Sequence, residues 1–521
     1  MRFNKLELPI HMQLWRLGFL NRNRTGFFQI PLLLLCLAPA HGALCEGLMK
    51  ISLSGAKLLT AQKIGPANIL PDVRFAVPQA PVCRVTAMLT PTSDSDIRIE
   101  LWLPQEGWNG KYMAVGNGGW SGSINYSGLN DGVRRGYATS STDTGHVGGS
   151  ASFALGHPEK LIDYAYRSEH EMATKSKSII EAYYGKPARL AYWNGCSAGG
   201  KQGLKEAQMY PTDFDGVVAG APASNWTGRA AQAIWSAQAV HQNEASYIPP
   251  TKYPLLHSKV LAACDALDGV KDGVLENPAN CNFDPKALEC PAADGPECLT
   301  GAQVEAARKL YSDSINPRTG QRLYPGLQKG SELGWATWAG PKPLAIALDY
   351  FRYVVFENPD WDFHKLNFDS DIARAEALDK RRINATDANL KPFFDRGGKI
   401  IQYHGWSDPQ ISPGNSVAYH QSVLEKMGTT IENSYRLFMV PGMGHCGGGE
   451  GTDTFDMVTA LEGWVEAKKP PASIAASRAR GGKVQRTRPL CPYPQTAIYK
   501  GTGSSDDSAN FTCGIALSSS P

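Results

Sequence analysis

No stretch of this 521-residue chain offers the ~20 consecutive apolar residues a membrane-spanning helix needs, so no membrane partner is expected. Charge is sparse, 19% of residues against 42% apolar. That balance excludes a disordered chain and leaves ample material for a large core. Charge of one sign is missing too: 52 basic and 49 acidic residues leave +3. The first 43 residues hold five bases (Arg2, Lys5, Arg16, Arg22, Arg24) and one acid (Glu7), so the rest carries 47 bases, 48 acids and a net −1. A nucleic-acid footprint is therefore not expected. There is no CxxC pair, and no histidine adjoins Cys264, Cys281, Cys290, Cys298, Cys491 or Cys513, which argues against a zinc framework. No internal repeat is visible. The length allows several units of ~150 residues, or one large hydrolase domain carrying an insertion.

The basic residues at the start precede an apolar run, Ile30-Pro31-Leu32-Leu33-Leu34-Leu35-Cys36-Leu37-Ala38, and then small residues at Ala38-Pro39-Ala40 and Gly42-Ala43. This is the order of a secretory signal, expected over 1–43, with Met12 as an alternative start. Leucines precede Cys36 and Cys45, which argues against a lipid-modified cysteine. A secreted or periplasmic location follows. Cys36 leaves with the leader, and the ten cysteines that remain are an even set, as disulfides require in an exported protein. They could pair in hundreds of ways. Proximity in sequence suggests Cys264–Cys281, Cys290–Cys298 and Cys491–Cys513.

Strand-like and helix-like runs alternate in the first part of the mature chain. Ile97–Leu103 and Lys111–Val115 read as strands, a helix is expected over Leu161–Tyr184, and Leu190–Trp193 reads as a strand. A helix over about Gly200–Tyr210 and a strand over Gly216–Ala219 follow. Strand, helix, strand in succession indicates a parallel α/β sheet. The rhythm stops from about Trp226 to Arg396 and returns with Lys399–Tyr403 and Tyr435–Val440. The expected organisation is a core over 44–225, an inserted lid domain over 226–396, and a second core segment with a C-terminal disulfide over 397–521.

Gly195-Cys196-Ser197-Ala198-Gly199 fits G-x-S-x-G and lies between an expected strand and an expected helix. Its glycines permit the sharp turn that exposes a serine hydroxyl, and the helix N-terminus favours negative charge developing nearby. Serine needs a base, and the base an orienting acid. In α/β-hydrolases these follow in the order serine, acid, histidine. Asp408 comes just after the strand ending at Tyr403, and His445 just after the strand ending at Val440, on the sheet edge where such sites assemble. His404 is a rival base, but it precedes the acid and is read as structural. Cys196 adjoins the serine and Cys446 the histidine. Were they bonded, the Ser197 and His445 Cα atoms would lie within about 13 Å of each other. For the oxyanion hole, the Ala198 amide is one donor. The other is expected from Gly116-Asn117-Gly118-Gly119, as in the HGGG-type loops of esterases, with Gly118 and Gly119 both open.

Asn194 to Gly200, Phe214-Asp215-Gly216-Val217-Val218-Ala219-Gly220-Ala221-Pro222 and Pro441-Gly442-Met443-Gly444-His445-Cys446 resemble the tannase and feruloyl esterase family. That family includes fungal tannases, type B feruloyl esterases and the bacterial mono(2-hydroxyethyl) terephthalate hydrolase. The resemblance runs from about Cys45 to Cys513. It implies an α/β-hydrolase fold with a large inserted lid, a Ser197–His445–Asp408 triad and a Cys196–Cys446 bond. It also implies Cys45–Cys83 and the three near-neighbour bonds.

Asp265, Asp268 and Asp272 place three carboxylates in eight residues with glycines between. Calcium takes six to eight oxygens, but this is not EF-hand spacing, so chemistry alone leaves a solvated turn and a metal site equally open. The resemblance implies structural calcium on these three aspartates and the carbonyls of Val270 and Val274. Aromatics in the insertion, among them Trp235, Trp335, Trp338, Tyr350, Phe351 and Trp361, suit either lid core or an aryl substrate. Arg352, Arg374, Arg381 and Arg382 could meet a substrate carboxylate, though solvation is the plainer expectation. Past the expected leader, the sequons at Asn125, Asn225, Asn384 and Asn510 matter only in a eukaryotic host.

The expectation is a secreted serine carboxylesterase acting on small aromatic esters, feruloyl or galloyl. The alternatives are a terephthalate monoester hydrolase, an exported peptidase, and an inactive calcium-stabilised binding protein on the same scaffold. Oligomeric state is not legible.

Overall fold

Residues 42–66 and 78–515 are described by a computed structural model, and the expected leader lies almost wholly outside them. Nine strands make the main sheet: β1 (Ala56–Ile64), β2 (Val82–Leu89), β3 (Ile97–Pro104), β4 (Lys111–Val115), β5 (Ala138–Thr142), β6 (Leu190–Cys196), β7 (Gly216–Gly220), β8 (Lys399–Gly405) and β9 (Tyr435–Val440). Their order is β1-β2-β3-β5-β4-β6-β7-β8-β9. The pairings from β1 to β5 are antiparallel, and those from β5 through β4 to β9 are parallel. This is a mixed sheet of α/β-hydrolase type, as expected.

Parallel strands buried on both faces carry continuous apolar runs, and β6 illustrates it. Ala191 and Trp193 point into one core with Met172 and Ile180 of α2 (Ser168–Tyr184), Leu204 of α3 (Ala198–Met209) and Val423 of α5 (Gly414–Met427). Tyr192 points the other way, into a core with Leu129 of α1 (Tyr126–Arg134) and Leu461 and Trp464 of α6 (Met457–Ala467).

The helix expected over Leu161–Tyr184 is interrupted. An α-helical turn at Pro158–Ile162 passes into a π turn, Asp163–Arg167, before α2 begins. The wider turn buries the consecutive side chains Asp163 and Tyr164 together.

The interruption of the β-α rhythm falls between β7 and β8. Among the described residues of 226–396 the strands are Ser314–Ile315 and Arg322–Tyr324, which pair only with each other. The other regular elements there are helical, beginning with α4 (Trp226–Val240). Trp335, Trp338, Tyr350 and Phe351 are fully buried within this insertion, so its aromatics make its core. Insertion and sheet together form one compact unit. All five expected disulfides are present: Cys45–Cys83, Cys196–Cys446, Cys264–Cys281, Cys290–Cys298 and Cys491–Cys513.

Candidate active site

Between the end of β6 and the start of α3, Ser197 takes φ 66° and ψ −123°. A side chain rarely adopts that region, at a cost of about 1–3 kcal/mol, so the surroundings must enforce it. Two backbone bonds do so: the Ser197 N–H donates to Gly220 O (2.9 Å), and its carbonyl accepts from Ala223 N–H (3.1 Å). The motif's glycines are needed for closeness. A Cβ on Gly195 would stand 2.5 Å from Gly199 O, and one on Gly199 only 3.0 Å from Asn117 O.

His445 lies on the turn after β9, and its Nε2 is 2.9 Å from Ser197 Oγ. Its Nδ1 is 2.7 Å from Asp408 Oδ2. Asp408 is fully buried, and its Oδ1 accepts from the N–H groups of Gln410 (2.7 Å) and Ile411 (3.0 Å). Burial pushes the Asp408 carboxyl up, but the charge of His445 and hydrogen bonds from His404 and His445 outweigh it and hold the group well below the usual carboxylate range. The two loops are stitched together, with Ser407 N–H donating to Met443 O (3.0 Å). The Cys196–Cys446 bond brings its Cα atoms to 6.1 Å. His404 does not meet Ser197 but lies buried beneath Asp408.

The loop after β4 faces the serine across a cleft of about 1040 Å³, which Gly116 to Trp120 line together with Ser197, Tyr403 and His445. Asn117 is occupied with structure. Its N–H donates to Gln202 Oε1 (3.0 Å), its carbonyl accepts from Gly199 (2.8 Å), and its amide donates to the carbonyls of Ser123 and Thr142 (2.8 Å each). Gly118 and Gly119 remain as the turn's other amides. The Tyr164 hydroxyl donates to Gly119 O (2.6 Å), tying the turn to the π segment. Asn117, Gln202 and Tyr164 escaped sequence reasoning. The only signal was an asparagine inside a glycine run.

Among the residues lining the cleft are one acid, Asp131, and no lysine or arginine. The insertion's arginines are engaged elsewhere: Arg352 Nε with Trp361 O (3.3 Å), Arg374 over the Phe356 ring (5.0 Å), and Arg381 with Asp387 (3.4 Å). Arg382 lines a separate cavity. The sequon asparagines at 125 and 225 cap helices through their side chains, and the Asn384 amide donates to Thr227 Oγ1 (3.0 Å).

Asp268, Val270, Asp272 and Val274 surround a void of about 20 Å³, together with Glu276, Arg486 and Arg488. That is the room one small ion or water takes. Asp265 is not on its wall. Its Oδ1 accepts from Asp272 N–H (3.2 Å) and its Oδ2 from Gly273 N–H (3.0 Å), which shapes the loop. Arg488 pairs with Asp272. Cys290, Asp294 and Cys298 bring three donor atoms within 4.8 Å of one another, but they offer no metal site, because the cysteines are bonded to each other.

The sheet order and a serine held at positive φ between a parallel strand and a helix define an α/β-hydrolase. The family model described as tannase and feruloyl esterase matches residues 83–514. An uncharacterized esterase of Xanthomonas campestris is 36% identical over 536 aligned positions, covering 92% of each chain. A probable feruloyl esterase B-2 of Aspergillus fumigatus is 36% identical over 461 positions, covering 84% of this chain and 87% of that protein. The crystal structure of feruloyl esterase B from Aspergillus oryzae matches with a TM-score of 0.84 and 32% identity, over 90% of this chain and 99% of that one. Tannin acyl hydrolase from Aspergillus niger shares the fold, with a TM-score of 0.75 at 22% identity over 89% of this chain and 92% of that one. The chain belongs to the tannase and feruloyl esterase family and is a carboxylic ester hydrolase.

Proposed function

We propose that this protein is an exported serine esterase that hydrolyses uncharged esters of small aromatic acids, with Ser197 as nucleophile, His445 as base and Asp408 as orienting acid. The observation that carries the reading is the unbroken line from Ser197 Oγ through His445 to Asp408, at 2.9 and 2.7 Å. His445 Nε2 takes the hydroxyl proton as Oγ attacks the ester carbonyl, and the oxyanion is met by the amides of Ala198 and Gly118 or Gly119. As the carbonyl–oxygen bond breaks, Nε2 returns that proton to the leaving alcohol. Water then repeats the cycle on the acyl-enzyme and frees Ser197. Export rests on the leader of the sequence and on five disulfides, which persist in oxidising compartments. The insertion over 226–396 is read as the lid.

A terephthalate monoester carries an anionic acyl group, and a cleft whose charged wall residue is Asp131 suits it poorly. Feruloyl or galloyl esters fit better. We assign calcium to the small void, held by Asp268, Asp272 and the carbonyls of Val270 and Val274, with Asp265 ordering the loop. The donors are all oxygen, as calcium requires. Its role is to brace the insertion against the C-terminal segment that supplies Arg486 and Arg488.

The test is hydrolysis of methyl ferulate, methyl gallate and mono(2-hydroxyethyl) terephthalate by oxidised protein beside Ser197→Ala. Turnover of a neutral ester, lost at least 10³-fold in the variant, is expected. Well-folded protein that neither cleaves these esters nor reacts with an organophosphonate would instead be the binding protein. Calcium at a hundred times its Kd should stabilise the chelated protein by about 2.7 kcal/mol, and Asp268→Asn should abolish that gain.

A further inference from the structure

Asp408 has a second histidine on the oxygen that serves His445. His404 Nε2 lies 3.1 Å from Asp408 Oδ2 and 3.0 Å from the carbonyl of Ile411, and its Nδ1 lies 2.7 Å from Ser416 Oγ. His404, Asp408 and Ser416 are all fully buried. The chemistry of these partners settles the proton. A carbonyl only accepts, so Nε2 carries hydrogen and shares it between Ile411 O and the carboxylate. In the neutral ring Nδ1 is then an acceptor, and the Ser416 hydroxyl donates to it.

We propose that His404 is a positioning residue for catalysis, which fixes the Asp408 carboxylate toward His445 and keeps it ionised while Ser416 fixes the tautomer of His404. The inference rests on the triad reading above and extends it by two residues. Four donors converge on Asp408: two amides on Oδ1 and two imidazoles on Oδ2. A buried carboxylate needs such donors, because each lost one leaves charge uncompensated in a low dielectric. The plainer alternative, a histidine that merely fills the core under β8, does not account for a donor aimed at the acid. Other groups facing Asp408 are Arg229 of α4, whose Nε donates to Gln410 O (3.0 Å), and the buried Tyr324 hydroxyl. Neither changes in the variants below.

His404→Phe keeps an aromatic ring and removes the N–H, whereas His404→Gln keeps an N–H donor. Losing a hydrogen bond to a buried charge costs about 1.5–3 kcal/mol, so kcat on methyl ferulate should fall about ten- to a hundredfold in His404→Phe, with KM within about twofold. The carboxylate, less stabilised, holds the proton it shares with His445 more tightly, so the acid limb of the kcat–pH profile moves upward. His404→Gln should recover most of both. Ser416→Ala should move the acid limb the same way by less, and it decides the matter should His404→Phe not fold. A folded His404→Phe or a Ser416→Ala enzyme with the wild-type profile overturns the proposal. So does a His404→Gln enzyme as impaired as His404→Phe, which would assign His404 to packing alone. Absence of any turnover in the wild type is a different result, and would remove the triad reading itself.

Discussion

Asn117 shows how much one side chain settles at this site. Its amide joins two carbonyls from different segments, Ser123 and Thr142, while its backbone joins α3 through Gln202 and Gly199. The glycines beside it are free to face the cleft because Asn117 holds the turn in place. Asn117→Ala would strand two carbonyls at a largely buried position, at about 1–3 kcal/mol each. Urea unfolding should show a loss of about 2–6 kcal/mol, and kcat should fall with it. Unchanged stability would mean that water replaces the amide. The serine, acid and histidine were legible as residues because each follows a strand. Asn117 was not, since its partners are backbone atoms that no sequence pattern marks.

Among the elements, the helix preceding β6 departs most from its expected form. Periodicity marks Leu161–Tyr184 as one helix, yet the chain widens into a π turn at Asp163–Arg167. The tertiary cause is Tyr164, which reaches Gly119 (2.6 Å), while its buried neighbour Asp163 pairs locally with Arg167 (3.0 Å), so two neighbouring side chains both turn inward. A regular helix would fan them about 100° apart. Tyr164→Phe keeps the ring, which packs against Trp120 at 4.7 Å, and deletes the hydroxyl. The expected outcome is a several-fold lower kcat with stability changed by about 1 kcal/mol or less, because only the clamp on the turn facing Ser197 is lost. Equal loss of stability and activity would show the hydroxyl to be a fold determinant. The strands matched expectation more closely, β4 and β9 over their full lengths, because burial on both faces leaves a largely apolar run, broken only by Lys111 and Arg436.

At the scale of the whole molecule, one covalent bond spans the insertion. Cys196–Cys446 closes a loop of 250 residues, from the strand that ends just before the serine to the turn bearing the histidine. Chain entropy gives such a closure about 5 kcal/mol, an upper figure if the reduced chain keeps structure. The insertion between β7 and β8 separates serine from acid by about 200 residues, yet the sheet returns β8 beside β7 in register, Ile400 against Val217. Replacing both cysteines by alanine should lower the thermal midpoint by several degrees, and lower kcat more than mild heating of wild type to equal stability does. If activity tracks stability alone, the bond serves the fold rather than the site.

Much of this protein was written locally. Strand signatures, the glycines around Ser197, the strand-end positions of Asp408 and His445, and the even cysteine set are short-range patterns, each with a physical cause within a few residues. The sequence also narrowed the pairings, since Cys196 and Cys446 flank the expected nucleophile and base. Only the tertiary structure decided which side chains close on one another. It set His404 beneath Asp408, Tyr164 on Gly119 and Arg488 on Asp272, and it turned the insertion's arginines away from the cleft. Those contacts depend on how α-helices and loops far apart in the chain lie across the sheet. Local periodicity records which face an element buries, and not which atoms it meets there.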